Sequence, residues 1–118
     1  QYAALGAMEG GFAYVKTQLT LLEKLRKKLL VGLQPLANIC RISAAEGALY
    51  VWLELPAGTD ELAIAKALIY QYKVAVIPGG TFGATRPSLR LSFGALDDEM
   101  VETGIKRLCV GIPALLNA

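Results

Sequence analysis

The part of the sequence that most constrains the fold is the stretch 88–93, which reads SLRLSF. Apolar and polar side chains alternate strictly along it, with Leu89, Leu91 and Phe93 on one side and Ser88, Arg90 and Ser92 on the other. A period of two is typical of a β-strand that has one face in a core and the other toward something polar. The polar face carries one long guanidinium between short hydroxyls. The pattern leaves two interpretations of Arg90 open: a grip for an anion, or a solvated strand arginine.

Length and charge exclude several function classes. With 118 residues, the chain fits a single domain, 1–118, and a domain of this length buries roughly two thirds of its unfolded surface. A net charge of +2 is too balanced to predict a nucleic-acid or membrane partner. The sequence has no histidine, which excludes imidazole acid–base catalysis and histidine-ligated metals within this chain.

The two cysteines, Cys40 and Cys109, share no C-x-x-C spacing. Zinc and dithiol redox motifs are therefore absent, and the sequence predicts two buried free thiols in a reducing compartment, with a disulfide as the alternative. No apolar run approaches the ~18 residues of a membrane span, and no signal peptide is visible. We therefore expect a cytoplasmic protein.

The chain is unusually apolar. Hydrophobic residues make up 54% of it, and its mean hydropathy is +0.44, whereas a soluble domain is usually about 45–50% apolar. This excess predicts a face that another domain or subunit covers. The sequence also begins at Gln1 directly on a helical pattern, which favours a piece of a longer protein.

Helical periodicity marks four segments. Residues 1–11 form the end of a helix that stops at Gly10 and Gly11, and a long amphipathic helix follows over 12–32, with a solvated basic face around Lys24 to Lys28. A third helix begins with Thr59 as its N-cap and runs to about residue 72. The last is capped by Asp97 and stops near Pro113.

Strand patterns lie between these helices. Two antiparallel strands are predicted over 38–43 and 48–55, joined by the loop 44–47, and the apolar run 74–77 is a candidate buried strand. With 88–93, the order is α-α-β-β-α-β-β-α. It indicates an α+β fold in which helices cover a small, mainly antiparallel sheet.

No motif for covalent or acid–base catalysis is present. The sequence lacks G-x-S-x-G, a P-loop and a cysteine–histidine pair, so we assign no catalytic residue and no metal ligand. The segment 78–83, PGGTFG, precedes the Arg90 strand and can form the other wall of an anion site. Its glycines lack phosphate-loop spacing and a lysine, and alone they are typical of a turn.

Several motifs occur together in a specific order: EGALY at 46–50, LPAGTD at 55–60, VIPG at 76–79 leading to Phe82-Gly83, and LRLSF at 89–93 before an acid-capped helix. In this order they resemble the C-terminal small domain of the class I/II (fold type I) pyridoxal-phosphate-dependent aminotransferases, which include aspartate aminotransferase. The resemblance spans nearly the whole chain. Ala45 and Gly94 depart from it mildly, since proline and alanine are common there.

The resemblance implies a role for Arg90, which would bind the substrate α-carboxylate through a bidentate salt bridge. The complete enzyme would use pyridoxal 5'-phosphate and form a homodimer. The family's Schiff-base lysine, pyridinium-pairing aspartate and phosphate-binding residues belong to a large domain absent from this sequence. We therefore expect this piece to bind no cofactor in the family's way and to be inactive alone.

Two other functions stay open. The chain can be a stand-alone, non-catalytic domain that binds small molecules or a partner protein, or a structural dimerisation module. Both need only a covered apolar face. Aspartate, aromatic and branched-chain amino acids all remain open as substrates of the complete enzyme.

Overall fold

The computed structural model describes residues 1–43 and 46–117. Its helices are α1 (Tyr2–Gly32), α2 (Glu61–Tyr72) and α3 (Asp98–Leu116). Its strands are β1 (Arg41–Ser43), β2 (Tyr50–Glu54), β3 (Ile77–Pro78) and β4 (Ser88–Ser92). Two 3₁₀ turns, Gln34–Leu36 and Gly79–Phe82, connect them; the second is called the glycine turn below.

The four strands form one sheet in the order β1-β2-β4-β3, and every neighbouring pair is antiparallel. The three helices pack on one face of this sheet, where Leu53, Leu89 and Phe93 are buried with Leu33, Leu68 and Ile112. The predicted α+β fold, a small antiparallel sheet covered by helices, is confirmed. The other face of the sheet carries the polar side chains of β2 and β4.

Helix α1 is interrupted only at Gly11, whose φ of 57° and ψ of −158° are non-helical. Glycine adopts such a positive φ without a Cβ penalty, so the predicted break appears as a kink rather than as the end of a helix. Only the C-terminal part of α1 reaches the core, with Leu29 buried. Phe12, Val15 and Leu19, which the helical pattern placed inward, are exposed.

The basic cluster of α1 lies on its solvated side, as predicted, and three of its lysines pair with carboxylates: Lys24, Lys27 and Lys28. Lys28 Nζ lies 2.7 Å from an Asp98 oxygen and 3.2 Å from a Glu102 oxygen on α3. Lys24 also approaches Asp98, and Lys27 pairs with Glu23 one turn earlier. The contacts of Lys24 and Lys28 join α1 to the first turns of α3.

Two predicted helix ends were wrong. Asp60, not Thr59, caps α2, because its carboxylate accepts hydrogen bonds from the backbone N–H groups of Leu62 and Ala63; the Thr59 hydroxyl bonds to the Pro56 carbonyl instead. Helix α3 continues through Pro113 to Leu116, because Ile112 is buried and Leu116 packs against the core. The Asp97 cap was predicted correctly.

The strands are shorter than predicted. Residues 38–40 belong to a turn, since the N–H groups of Ile39 and Cys40 bond to the Leu36 carbonyl. Strand β2 starts only at Tyr50 because Ala48 has a positive φ, and Leu49 is half exposed.

The run 74–77 is not a buried strand. The Val74 N–H bonds to the Leu68 carbonyl of α2, so its beginning belongs to the end of that helix. Val76 is buried, whereas Ile77 in β3 is 38% exposed. The predicted loop 44–47 includes Ala44 and Ala45, which lie outside the described residues.

Both cysteines are free thiols, Cys40 buried and Cys109 half-buried. Burial raises the pKa of the Cys40 thiol and of the Cys109 thiol, which keeps both protonated and weakly nucleophilic near neutral pH. The prediction of free thiols is confirmed, but Cys109 is less buried than predicted.

Candidate anion-binding site around Arg90

Arg90 lies in the middle of β4, one of the two central strands, which pairs with β2 on one side and β3 on the other. Its Cα is opposite Trp52 on β2 and opposite Ile77 on β3. Directly opposed residues of antiparallel strands project from the same face, so these three side chains form one row across the polar face. A strand bonded on both edges holds the arginine more rigidly than a loop would.

Two aromatic rings contact the guanidinium. The Arg90 Cζ atom lies 4.1 Å from the centre of the Phe82 ring and 5.3 Å from that of Tyr50. Trp52 meets Phe82 edge-on, with ring centres 6.2 Å apart and planes at 65°. A cation over an aromatic face gains about 0.5–2 kcal/mol, so Phe82 and Tyr50 restrict the guanidinium without neutralising its charge.

The charge of Arg90 has no carboxylate partner among the described residues. Its Nε atom is buried and lacks a hydrogen-bond partner within the described part of the chain. Arg86 and Arg41, which also flank β2, differ because both approach the carboxylate of Glu54, at 2.8 Å and 4.0 Å. Among the described residues, Arg90 is therefore the arginine of this face without a carboxylate at ion-pair distance, and a guanidinium can in general bind a planar carboxylate through two parallel hydrogen bonds.

The glycine turn forms a wall of this site, as the sequence predicted. It carries Phe82 over Arg90, and it fits only because Gly79 has no side chain. A Cβ on Gly79 would lie 2.8 Å from the Trp52 ring and would collide with the Ser88 hydroxyl. Gly79 thus permits close packing of the turn beside β4, whereas Gly83 supplies a positive φ of 80° at the end of the turn. The segment contains no lysine to bind a phosphate.

Sequence reasoning missed the partners that build the site. Alternation along β2 sets Tyr50 and Trp52 on the same side of that strand, but the register that puts Trp52 opposite Arg90 is a tertiary property. Phe82 was noted only as part of a glycine-rich segment. Glu61 stands in the first turn of α2, where an acid is expected, yet its carboxylate accepts hydrogen bonds from the N–H groups of Gly80 and Ser88. No local pattern signals that contact.

The described residues do not fit a pyridoxal-phosphate anchor. A Schiff base needs a lysine beside the site, and every lysine of the chain lies on a helix or at a helix end, away from the polar face of the sheet. The face also lacks an aspartate, since Asp60, Asp97 and Asp98 stand at helix starts. Among the described residues, no cluster of side chains is suited to a metal ion. A guanidinium without an ion-pair partner can bind an anionic group such as a carboxylate.

No helix in the described part of the chain is long and apolar enough to span a membrane.

Comparison with known proteins identifies the family of the chain. Residues 1–108 match the family model for aminotransferase class I and II. The chain is 33% identical to the aromatic aminotransferase ISS1 of Arabidopsis thaliana over 99% of its own length and 29% of that protein. It is 31% identical to an aspartate/prephenate aminotransferase of Cereibacter sphaeroides, covering 95% of this chain and 31% of that one.

Solved structures agree with these sequence matches. The α-aminoadipate aminotransferase of Thermus thermophilus, in complex with N-(5'-phosphopyridoxyl)-L-leucine, superposes with a TM-score of 0.84 at 27% identity, over 93% of this chain and 29% of that chain. The aspartate aminotransferase of Thermotoga maritima superposes with a TM-score of 0.75 at 25% identity, over 99% and 28%.

The chain thus spans about 29% of the length of the first relative that it matches. The match covers most of this chain in both the sequence and the structure comparisons, and it includes the Arg90 strand and the glycine turn. The chain belongs to the class I and II aminotransferase family.

Proposed function

We propose that this chain is the C-terminal small domain of a pyridoxal-phosphate-dependent amino-acid transaminase, and that Arg90 binds the α-carboxylate of the amino acid and of the 2-oxo acid. The observation that carries the proposal is the unpaired Arg90 guanidinium, held on a central strand against Phe82 with its Nε buried and unpartnered. Two parallel charge-assisted hydrogen bonds would fix the orientation of the substrate as well as its position.

The rest of the enzyme would supply the chemistry. Pyridoxal phosphate provides an electron sink for carbanion formation when bound, and this chain has no lysine on the Arg90 face to hold it. Its own contribution is to bind and orient the carboxylate. We therefore propose that the chain alone is inactive and that the complete enzyme needs a large domain. An absorbance band of an internal aldimine, after incubation of the chain with cofactor, would contradict this part of the proposal.

The exposed apolar side chains of α1 support a covering domain. Tyr2, Met8 and Phe12 are each at least 80% exposed, and a soluble domain rarely leaves such a patch uncovered. The free thiols Cys40 and Cys109 support a reducing compartment, and we propose the cytoplasm. We also propose a homodimer for the complete enzyme, on the family resemblance.

Replacement of Arg90 by leucine in the complete enzyme tests the carboxylate role. Removing one partner of a buried, hydrogen-bonded charge pair costs roughly 2–5 kcal/mol, so kcat/KM for amino acids should fall by about 30- to 5,000-fold. The matched control is Arg86→Leu, which removes an arginine that already pairs with Glu54 and should change kcat/KM little. An Arg90→Leu enzyme with unchanged kcat/KM would refute the assignment.

The same exposed side chains of α1 favour a second candidate, a stand-alone binding domain without catalysis. The two candidates differ in the DNA upstream of the Gln1 codon. An open reading frame that encodes a serine–lysine cofactor segment supports the transaminase. A start codon at that boundary supports the stand-alone domain.

A further inference from the structure

One carboxylate connects the two segments that build the Arg90 site. Glu61 stands at the start of α2, and its Oε1 accepts a hydrogen bond of 2.7 Å from the Gly80 N–H in the glycine turn. Its Oε2 accepts one of 2.6 Å from the Ser88 N–H at the start of β4. Gly80 precedes Phe82 by two residues, and Ser88 precedes Arg90 by two. Glu61 therefore links the backbone of the turn that carries Phe82 to the backbone of the strand that carries Arg90.

The surrounding residues leave Glu61 free for this contact. A first-turn glutamate commonly interacts with its own helix, but in α2 the Asp60 carboxylate already accepts the N–H groups of Leu62 and Ala63. A Cβ on Gly80 would lie 2.6 Å from Glu61 Oε1 and would displace the carboxylate from this contact. The second glycine of the turn is thus explained by the approach of a carboxylate from α2.

We propose that Glu61 is a positioning residue: it holds the glycine turn against β4 and thereby keeps the Phe82 ring on the Arg90 guanidinium. The role in substrate binding rests on the function proposed above, whereas the role in holding the turn does not. Glu61 touches neither the guanidinium nor the ring in any described contact, so its effect on a bound carboxylate is transmitted through Gly80 and Ser88.

The chain contains its own reporter of this geometry. Trp52 is the single tryptophan of the sequence; its ring meets Phe82 edge-on and lies so close to Gly79 that a Cβ added there would be 2.8 Å from it. Release of the glycine turn would expose that indole to water. Its emission then moves to longer wavelength and acrylamide quenches it faster, in the 118-residue chain and without any cofactor.

The first experiment compares Glu61→Gln with Glu99→Gln. Glutamine keeps the length of the side chain, but one of its two ends is an NH₂ donor that would face a backbone donor. Glu99 is also an acid in the first turn of a helix, α3, and it is exposed, so its replacement removes the same charge away from the site. We expect the red shift and faster quenching in Glu61→Gln, and emission like that of the unaltered chain in Glu99→Gln, with unchanged far-ultraviolet circular dichroism in both.

Emission of Glu61→Gln identical to that of the unaltered chain would overturn the proposal. Hydrogen exchange provides a measurement that needs no variant, should Glu61→Gln fail to fold. The Gly80 N–H lies in a short exposed turn, and we expect it to exchange slowly because Glu61 accepts it. Exchange of this amide at the rate of an open loop would equally contradict the role.

Kinetics of the complete enzyme separates positioning from simple stabilisation. Loss of one charge-assisted hydrogen bond that aligns the site should raise KM for the amino acid by about tenfold while kcat changes less. A purely structural role would lower the amount of active enzyme, and thus apparent kcat, at constant KM, and that result would overturn the substrate role. If Arg90→Leu leaves activity intact, the carboxylate assignment fails, whereas the fluorescence result still decides whether Glu61 holds the turn.

Discussion

The two faces of β4 are built in different ways. On the inner face, Leu89, Leu91 and Phe93 are at most 4% exposed and pack against side chains from all three helices. On the outer face, Arg90 is half-buried and is held by two rings, one neighbouring strand on each side and no ion pair with described residues. One strand thus carries both the centre of the core and the candidate site.

The two faces of β4 are expected to respond differently to amino-acid substitution. The inner face is stabilised by many equivalent apolar contacts, each of which contributes through burial and close packing. The outer face depends on a few specific contacts: Glu61 with the Gly80 and Ser88 N–H groups, and Phe82 with Arg90 and Trp52. We therefore expect inner-face substitutions to lower the free energy of unfolding, and outer-face substitutions to alter the site at a smaller cost in stability.

Replacement of Leu89 by alanine should have the largest effect on stability. Leu89 is fully buried, and removing a buried leucine side chain costs roughly 2–5 kcal/mol. Its neighbour on the opposite face provides the matched variant, because Arg90→Leu removes no core contact and should cost less than about 1 kcal/mol. Urea unfolding of both variants measures the contrast. Equal losses would show that the two faces are not energetically distinct.

Replacement of Gly79 by alanine should have an intermediate effect. The added Cβ would meet the Trp52 ring and the Ser88 hydroxyl, and such overpacking costs about 1–3 kcal/mol. Because the strain falls on the outer face, Trp52 emission should change together with the unfolding midpoint.

Gly104→Ala is the control for this substitution. A Cβ at Gly104 in α3 would meet no atom within 4 Å, and alanine is the better helix former by about 1 kcal/mol. We expect Gly104→Ala to stabilise the chain and to leave Trp52 emission unchanged. A Gly79→Ala chain as stable as the unaltered one, with the same emission, would mean that the turn packs less closely than described.

The smallest effect is expected at Lys28, which links α1 to α3 on the helical side of the sheet. The hydrogen bond from Lys28 lowers the pKa of the Asp98 carboxyl. The pKa of the Glu102 carboxyl is lowered mainly by its hydrogen bond from Lys106, and to a smaller extent by that from Lys28. A carboxyl whose pKa is lower in the folded state contributes stability above its ordinary pKa, and this contribution is lost as the pH falls through the folded value. Because these groups are exposed, the contribution is small and screened by salt.

Lys28→Met should therefore flatten the decline of unfolding free energy between neutral pH and the acid range. Urea unfolding as a function of pH measures this, and added salt should reduce the difference from the unaltered chain. Lys66→Met is the control, since Lys66 is an exposed lysine of α2. An equal change of pH dependence in both variants would argue against the specific link to Asp98 and Glu102.

Features that depend on local periodicity were predictable from the sequence. The alternation of SLRLSF placed Leu89, Leu91 and Phe93 in the core, and it placed Arg90 outward. Asp97 was recognised as a cap because the acid precedes an amphipathic stripe directly. The N-cap of α2 was predicted wrongly because two neighbouring residues, Thr59 and Asp60, can both cap a helix. The end of α3 was predicted wrongly because packing against the core extends the helix beyond Pro113.

The sequence by itself determined the α+β class, the family resemblance and the presence of an outward arginine on a strand, because each is written in neighbouring residues. Only the tertiary structure decided what surrounds that arginine. Strand register set Trp52 opposite Arg90, and the path of the glycine turn brought Phe82 onto the guanidinium. The contact of Glu61 with Gly80 and Ser88 spans 19 and 27 residues. Such contacts are selected by packing of the whole chain, and no local pattern encodes them.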